Sequence, residues 1–152
     1  DLKDPERNIS WILQCSWLNG IAQAGVADSR VNAAVAVSPP MRLLFEPSSS
    51  TNLSSKVLLV SGTRDWVVPS GPEAITPMRQ SGASKQGHRI VLAEGMNHFS
   101  LRSFRADDRP AVVGPLLLAW INEQLGVNQA FTFSAGGWGD AMVNLVDVSD
   151  RL

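Results

Sequence analysis

Several things are scarce in this 152-residue chain, and each scarcity excludes something. It has a single cysteine, Cys15, which rules out an internal disulfide and any metal site built from several thiolates. No apolar run approaches twenty residues, and no charged-then-apolar leader is present, so neither a membrane-spanning helix nor a secretory signal is written in these residues. Charge of one sign is lacking as well: 13 Lys and Arg stand against 14 Asp and Glu, a formal net charge of −1. The charges are evenly mixed. That leaves no basic stripe for nucleic acid and no polybasic run for a membrane, and small neutral partners fit best. There is no internal repeat, and no low-complexity array beyond the short tract Ser48-Ser49-Ser50. Nor does any serine have glycines two residues before and after it, the spacing that a strained strand-to-helix nucleophile elbow requires.

What is present is organised around Val57 to Pro69, V-L-L-V-S-G-T-R-D-W-V-V-P. Four consecutive Val and Leu residues, flanked by Lys56 and Ser61, suit a short strand covered on both faces. Asp65 follows at its carboxyl end, where open α/β sheets collect their chemistry. A second unit has the same form: Arg89 to Ala93 predicts a strand, and Glu94-Gly95-Met96-Asn97-His98-Phe99 the loop after it. One carboxylate and one imidazole are thereby placed at the same edge of one sheet. Asp65 also has a simpler use, as a turn carboxylate capping Val67 or Val68, and His98 as a surface loop histidine. His88 precedes its strand and is expected at the opposite end, exposed to solvent.

Strand-G-T-R-D followed about thirty residues later by strand-E-G-M-N-H-F resembles the last two strands of the α/β-hydrolase fold, and D-S-R-V-N-A-A-V-A-V-S-P-P, Asp28 to Pro40, resembles the strand before them. The likeness covers about Arg30 to Leu125. It implies that Asp65 is the acid and His98 the histidine of a Ser-Asp-His triad, in agreement with the order nucleophile, acid, histidine along such chains. The fold class expected is therefore α/β: the C-terminal portion of an α/β-hydrolase fold, with three parallel strands (about 31–37, 57–61 and 89–93), flanking helices and a C-terminal tail. Each βαβ unit takes about thirty residues, so roughly half of that fold is encoded here. The chain starts mid-pattern at Asp1 without a methionine, which suits a C-terminal half or a strongly reduced form.

Along the chain, Glu6 to Ala24 predicts a helix, with a strand over Ile9 to Leu13 as the competing assignment. Met41 to Phe45 is an apolar patch and Glu46 to Ser55 a polar, serine-rich connection. Only about sixteen residues join Pro40 to Val57, too few for the helical lid of many hydrolases. The cleft is expected to be open, with Met41, Leu44, Phe45 and Trp66 as candidate walls for an acyl or small aromatic group, or simply as cover for the sheet edge. Ser70 to Arg79 predicts a helix and Ser81 to Gly87 a polar loop. The strongest helical pattern runs from about 110 to 125, with Val112, Val113, Leu116, Leu117, Trp120, Ile121 and Leu125 on one stripe and Gly126 as its stop. Domain 1–126 is thus followed by an extension, 127–152, expected to pack on it as two short strands or as a strand and a short helix.

The nucleophile is the open element. Ser16 in Gln14-Cys15-Ser16-Trp17-Leu18 and Ser134 in Phe133-Ser134-Ala135-Gly136-Gly137 are degenerate candidates, Cys15 is a third, and a serine in a segment outside this chain is the fourth. The expected activity is hydrolysis of small carboxylic esters, needing no metal and no organic cofactor. The expected partners are an N-terminal half of the same fold or a second copy at the open sheet edge, because an unpaired apolar strand invites pairing. The competing assignment is a non-catalytic α/β-hydrolase-like domain used for binding or assembly. A dehalogenase or epoxide hydrolase would keep acid and base but attack with an aspartate, and the short connection before Val57 speaks against those lidded forms.

Overall fold

The computed structural model describes residues 28–44, 53–101, 113–127, 132–134 and 145–152. Within them the chain forms an α/β arrangement around one mixed four-stranded sheet of order β1-β2-β3-β4. Strand β1 is Ala33–Val37, followed by a single helical turn α1, Met41–Leu44. Strand β2, Lys56–Gly62, leads through the Asp65 loop into a π-helical segment, Gly71–Ile75, that continues as helix α2, Thr76–Ser81. A 3-10 turn, Ala83–Gln86, precedes β3, Arg89–Ala93, and α3, His98–Leu101, comes next. Helix α4, Val113–Leu125, and strand β4, Leu145–Asp147, complete the set, with a 3-10 turn at Ser149–Arg151.

Strands β1, β2 and β3 run parallel, with Val35 opposite Leu58 and Val60 opposite Val91. The three predicted strands are joined by a fourth, antiparallel one: Leu145 pairs with Ala93 and Asp147 with Val91. The expected layer is thus part of a mixed four-stranded sheet. The described end of the tail, residues 145–152, is a short strand and a 3-10 turn, held by more than the ladder. Ile90 N–H donates to Ser149 Oγ at 2.8 Å, Val148 N–H to the Ile90 carbonyl at 3.1 Å, and Arg89 pairs with Asp147 and, at 3.3 Å, with Asp150.

β2 is buried on both faces, which is why its sequence is continuously apolar rather than alternating. Leu58 and Val60 face one core with Val91, Leu116, Trp120 and Leu145; Leu59 faces the other with Met41, Met78 and Ile90. Burial of each such side chain contributes about 1.5–3 kcal/mol. Helix α4 turns Val113, Leu116, Ala119 and Trp120 inward, whereas Ile121 and Leu125 are exposed. The apolar stripe read from the sequence is thus wider than the strip the sheet covers. Gly126, at φ 65°, ends the helix as expected, in the left-handed conformation that glycine adopts without penalty.

Candidate functional site

Three parallel strands ending at one edge each deliver one polar residue there: Ser38 after β1, Asp65 after β2 and His98 after β3. The turn Thr63-Arg64 brings Asp65 back over the sheet, with Asp65 N–H donating to the Gly62 carbonyl at 3.1 Å. On the β3 side, Asn97 starts α3. Its Oδ1 accepts from Phe99 N–H at 3.0 Å and Ser100 N–H at 2.9 Å, while its own N–H donates to Ser100 Oγ at 2.9 Å. This reciprocal cap fixes His98 as the first residue of the helix.

The two loops are clasped together. Thr63 N–H donates to the Ala93 carbonyl and Arg64 N–H to the Met96 carbonyl, both at 3.0 Å, and Gly95 N–H donates to Thr63 Oγ1 at 2.8 Å. The clasp needs Gly62. A Cβ there would overlap the Met96 carbonyl and stand 3.1 Å from Leu101 Cδ1.

Held in this way, His98 Nδ1 lies 2.9 Å from Asp65 Oδ2. The Asp65 side chain is fully buried and that of His98 is 15% exposed. Asp65 Oδ1 accepts from Val67 N–H at 3.0 Å and Val68 N–H at 2.8 Å, and Oδ2 accepts a second bond from Ser38 Oγ at 2.8 Å. Burial by itself pushes the Asp65 carboxyl up. The bonds from Val68, His98 and Ser38, with the charge His98 can carry, outweigh that and hold it below the ordinary aspartate value. An ionised Asp65 can only accept, so the proton of the neutral imidazole sits on Nδ1 and Nε2 offers a lone pair. Among the described residues Nε2 has no hydrogen-bond partner.

Asp65 makes both contacts at once: one oxygen caps the turn at Val67 and Val68 and the other meets the imidazole. Trp66, next to Asp65, is 74% exposed, and Phe99, next to His98, is 63% exposed with its ring edge-on to the imidazole at 5.9 Å. Met41, a candidate wall, is instead a core residue in one cluster with Leu59, Ala74 and Met78. The Leu44 side chain, Phe45, Cys15 and Ser16 lie outside the described residues. Ser134 is exposed and bonded through its N–H to Glu123 at 2.6 Å. Its neighbour Phe133 packs on Trp120 and under Arg89, at the start of β3, so Ser134 is not brought to His98.

His88 lies at the opposite sheet end, as expected, but it is buried rather than exposed. Its Nδ1 accepts from Val57 N–H at 3.1 Å, which ties the start of β3 to β2, and burial followed by the nearby Lys56 charge pulls its pKa down. The sequence marks Ser38 only as part of the Asp28 to Pro40 stretch. The available signal was a serine directly after the strand that neighbours the Asp65 strand.

No family model matches this chain, and no curated protein or solved structure matches it either.

Proposed function

We propose that this chain carries the acid–base half of a carboxylic-ester hydrolase of the α/β-hydrolase type, in the lid-poor, dienelactone-hydrolase-like group. The observation that supports it is the buried Asp65 carboxylate 2.9 Å from Nδ1 of His98, with Nε2 left unpartnered among the described residues. In this chemistry Nε2 removes the proton of an attacking hydroxyl and returns it to the departing alcohol, and Asp65 holds the tautomer and balances the imidazolium. An acyl-enzyme forms and water hydrolyses it by the same proton route. No metal or organic cofactor enters. Exposed Trp66, next to Asp65 in sequence, and exposed Phe99, edge-on to the imidazole, would serve as apolar walls for an acyl or small aromatic group.

The attacking hydroxyl and the oxyanion donors come, in this proposal, from residues outside the described ones or from a second polypeptide. Strand β1 is the terminal strand of the described sheet, and its free side is where the remaining strands of a hydrolase, or a second copy, would add. Turnover of short-chain p-nitrophenyl esters, abolished in His98→Ala, tests the proposal; unchanged turnover in that variant refutes it. The alternative is a non-catalytic binding domain. Failure of a fluorophosphonate probe to label any serine would decide for that alternative.

A further inference from the structure

Ser38 is the one non-glycine residue with positive φ among the described residues, at 47°. That region is disfavoured for a side chain bearing Cβ, and glycine, asparagine and aspartate enter it more readily than serine. Ser38 is nonetheless held there, 6% exposed, by its N–H, which donates to the Val60 carbonyl at 2.7 Å. The conformation aims Oγ at Asp65 Oδ2, 2.8 Å away, the same oxygen that meets His98 Nδ1 at 2.9 Å.

The other carboxylate oxygen is fixed by Val67 and Val68. A carboxylate anchored through one oxygen can still pivot about it, and the pivot would swing Oδ2 out of line with the imidazole. Ser38 supplies the second anchor. Its own proton is given to the carboxylate and not to Nε2, so in this arrangement Ser38 is not the attacking group.

We propose that Ser38 is a positioning residue, whose hydroxyl locks the Asp65 carboxylate in rotation and so keeps His98 aligned for proton transfer. The inference rests on the acid–base role proposed above and adds a third residue to Asp65 and His98. Asp65 is the one charged group bonded to His98 among the described residues, so the effect of Ser38 is carried through that carboxylate.

Two variants test it. Ser38→Ala removes the hydroxyl and keeps a Cβ at positive φ; Ser38→Gly removes the hydroxyl and relieves the backbone, so it is expected to fold even if the alanine variant does not. Both should lose about tenfold in kcat with KM within about twofold, as for a bond to a charged group that matters for the chemical step. In proton NMR, the downfield Nδ1–H resonance of His98 should be sharp in the wild-type protein and lost to solvent exchange in Ser38→Gly. A Ser38→Gly protein with wild-type kcat and an intact resonance would overturn the proposal and leave Ser38 a turn residue only. If the wild-type chain hydrolyses no ester, the resonance decides alone. Its loss in the variant sustains the positioning role without the esterase, whereas its persistence there, or its absence from the wild-type protein, refutes that role.

Discussion

Adding one methyl group at Gly62 should uncouple the two halves of the site without touching Asp65 or His98. A Cβ on Gly62 would overlap the Met96 carbonyl oxygen and come within 3.0 Å of the Met96 carbonyl carbon and 3.1 Å of Leu101 Cδ1. Two of these three contacts are backbone, so the strain cannot be relieved by a side-chain rotation. The loop after β3 has to lift away from β2. Overpacking of this kind costs about 1–3 kcal/mol. Lifting Met96 also breaks the 3.0 Å bond from Arg64 N–H, a further loss of about 1 kcal/mol. Together, Gly62→Ala should cost about 2–4 kcal/mol, a large part of the 5–15 kcal/mol typical of a domain. His98 rides on the same loop, and a displacement of about 1 Å would stretch its 2.9 Å bond to Asp65 past hydrogen-bonding distance, with about a hundredfold loss of ester turnover. Urea unfolding followed by tryptophan fluorescence, together with p-nitrophenyl ester kinetics, measures both effects. A Gly62→Ala protein within about 0.5 kcal/mol of wild type and fully active would show that the loops are not clasped at that point.

Asp65→Asn keeps the shape of the acid but lets the imidazole take the wrong tautomer, and ester turnover should fall by about 10³–10⁴. The same variant has a signature in stability. The folded-state pKa of Asp65 is lowered, so its contribution is complete above the unfolded aspartate value near 3.9 and is lost as pH falls through the lower folded value; acid titrations monitored by circular dichroism should show that loss in the wild type and a flatter profile in Asp65→Asn. His88 titrates in a different window. Its folded pKa is depressed, so the unfolded chain binds a proton first, and stability should decline as pH drops below about 6.5; a His88→Gln variant measured by urea unfolding at pH 7.5 and 5.5 should show a smaller difference than the wild type.

Much of this was legible in linear order. Four Val and Leu residues in a row predicted a doubly covered strand, and β2 spans Lys56–Gly62. The short apolar run between Gly87 and Glu94-Gly95 leaves a strand little freedom at its ends, and β3 is Arg89–Ala93. The pairing of Asp65 with His98 was legible for a similar reason: loops leaving adjacent parallel strands converge at the carboxyl edge, and strand order can be argued from chain order. Residues whose role depends on which face they meet were not legible. Met41 looked like a wall and is core, Ile121 and Leu125 looked like core and are exposed, and His88 looked like surface and is buried between strands.

The local pattern of the chain determined where its parallel strands run and which acid and which base leave the same edge, since strand propensity and apolar runs are properties of neighbours in sequence. Only the folded structure decided that β4 closes the other side antiparallel, that Gly62 lets two loops touch, and that the Ser38 hydroxyl reaches Asp65 across 27 positions. Those facts are distances between remote segments. No window of sequence contains them, because each is set by how the sheet twists and by what packs beneath it.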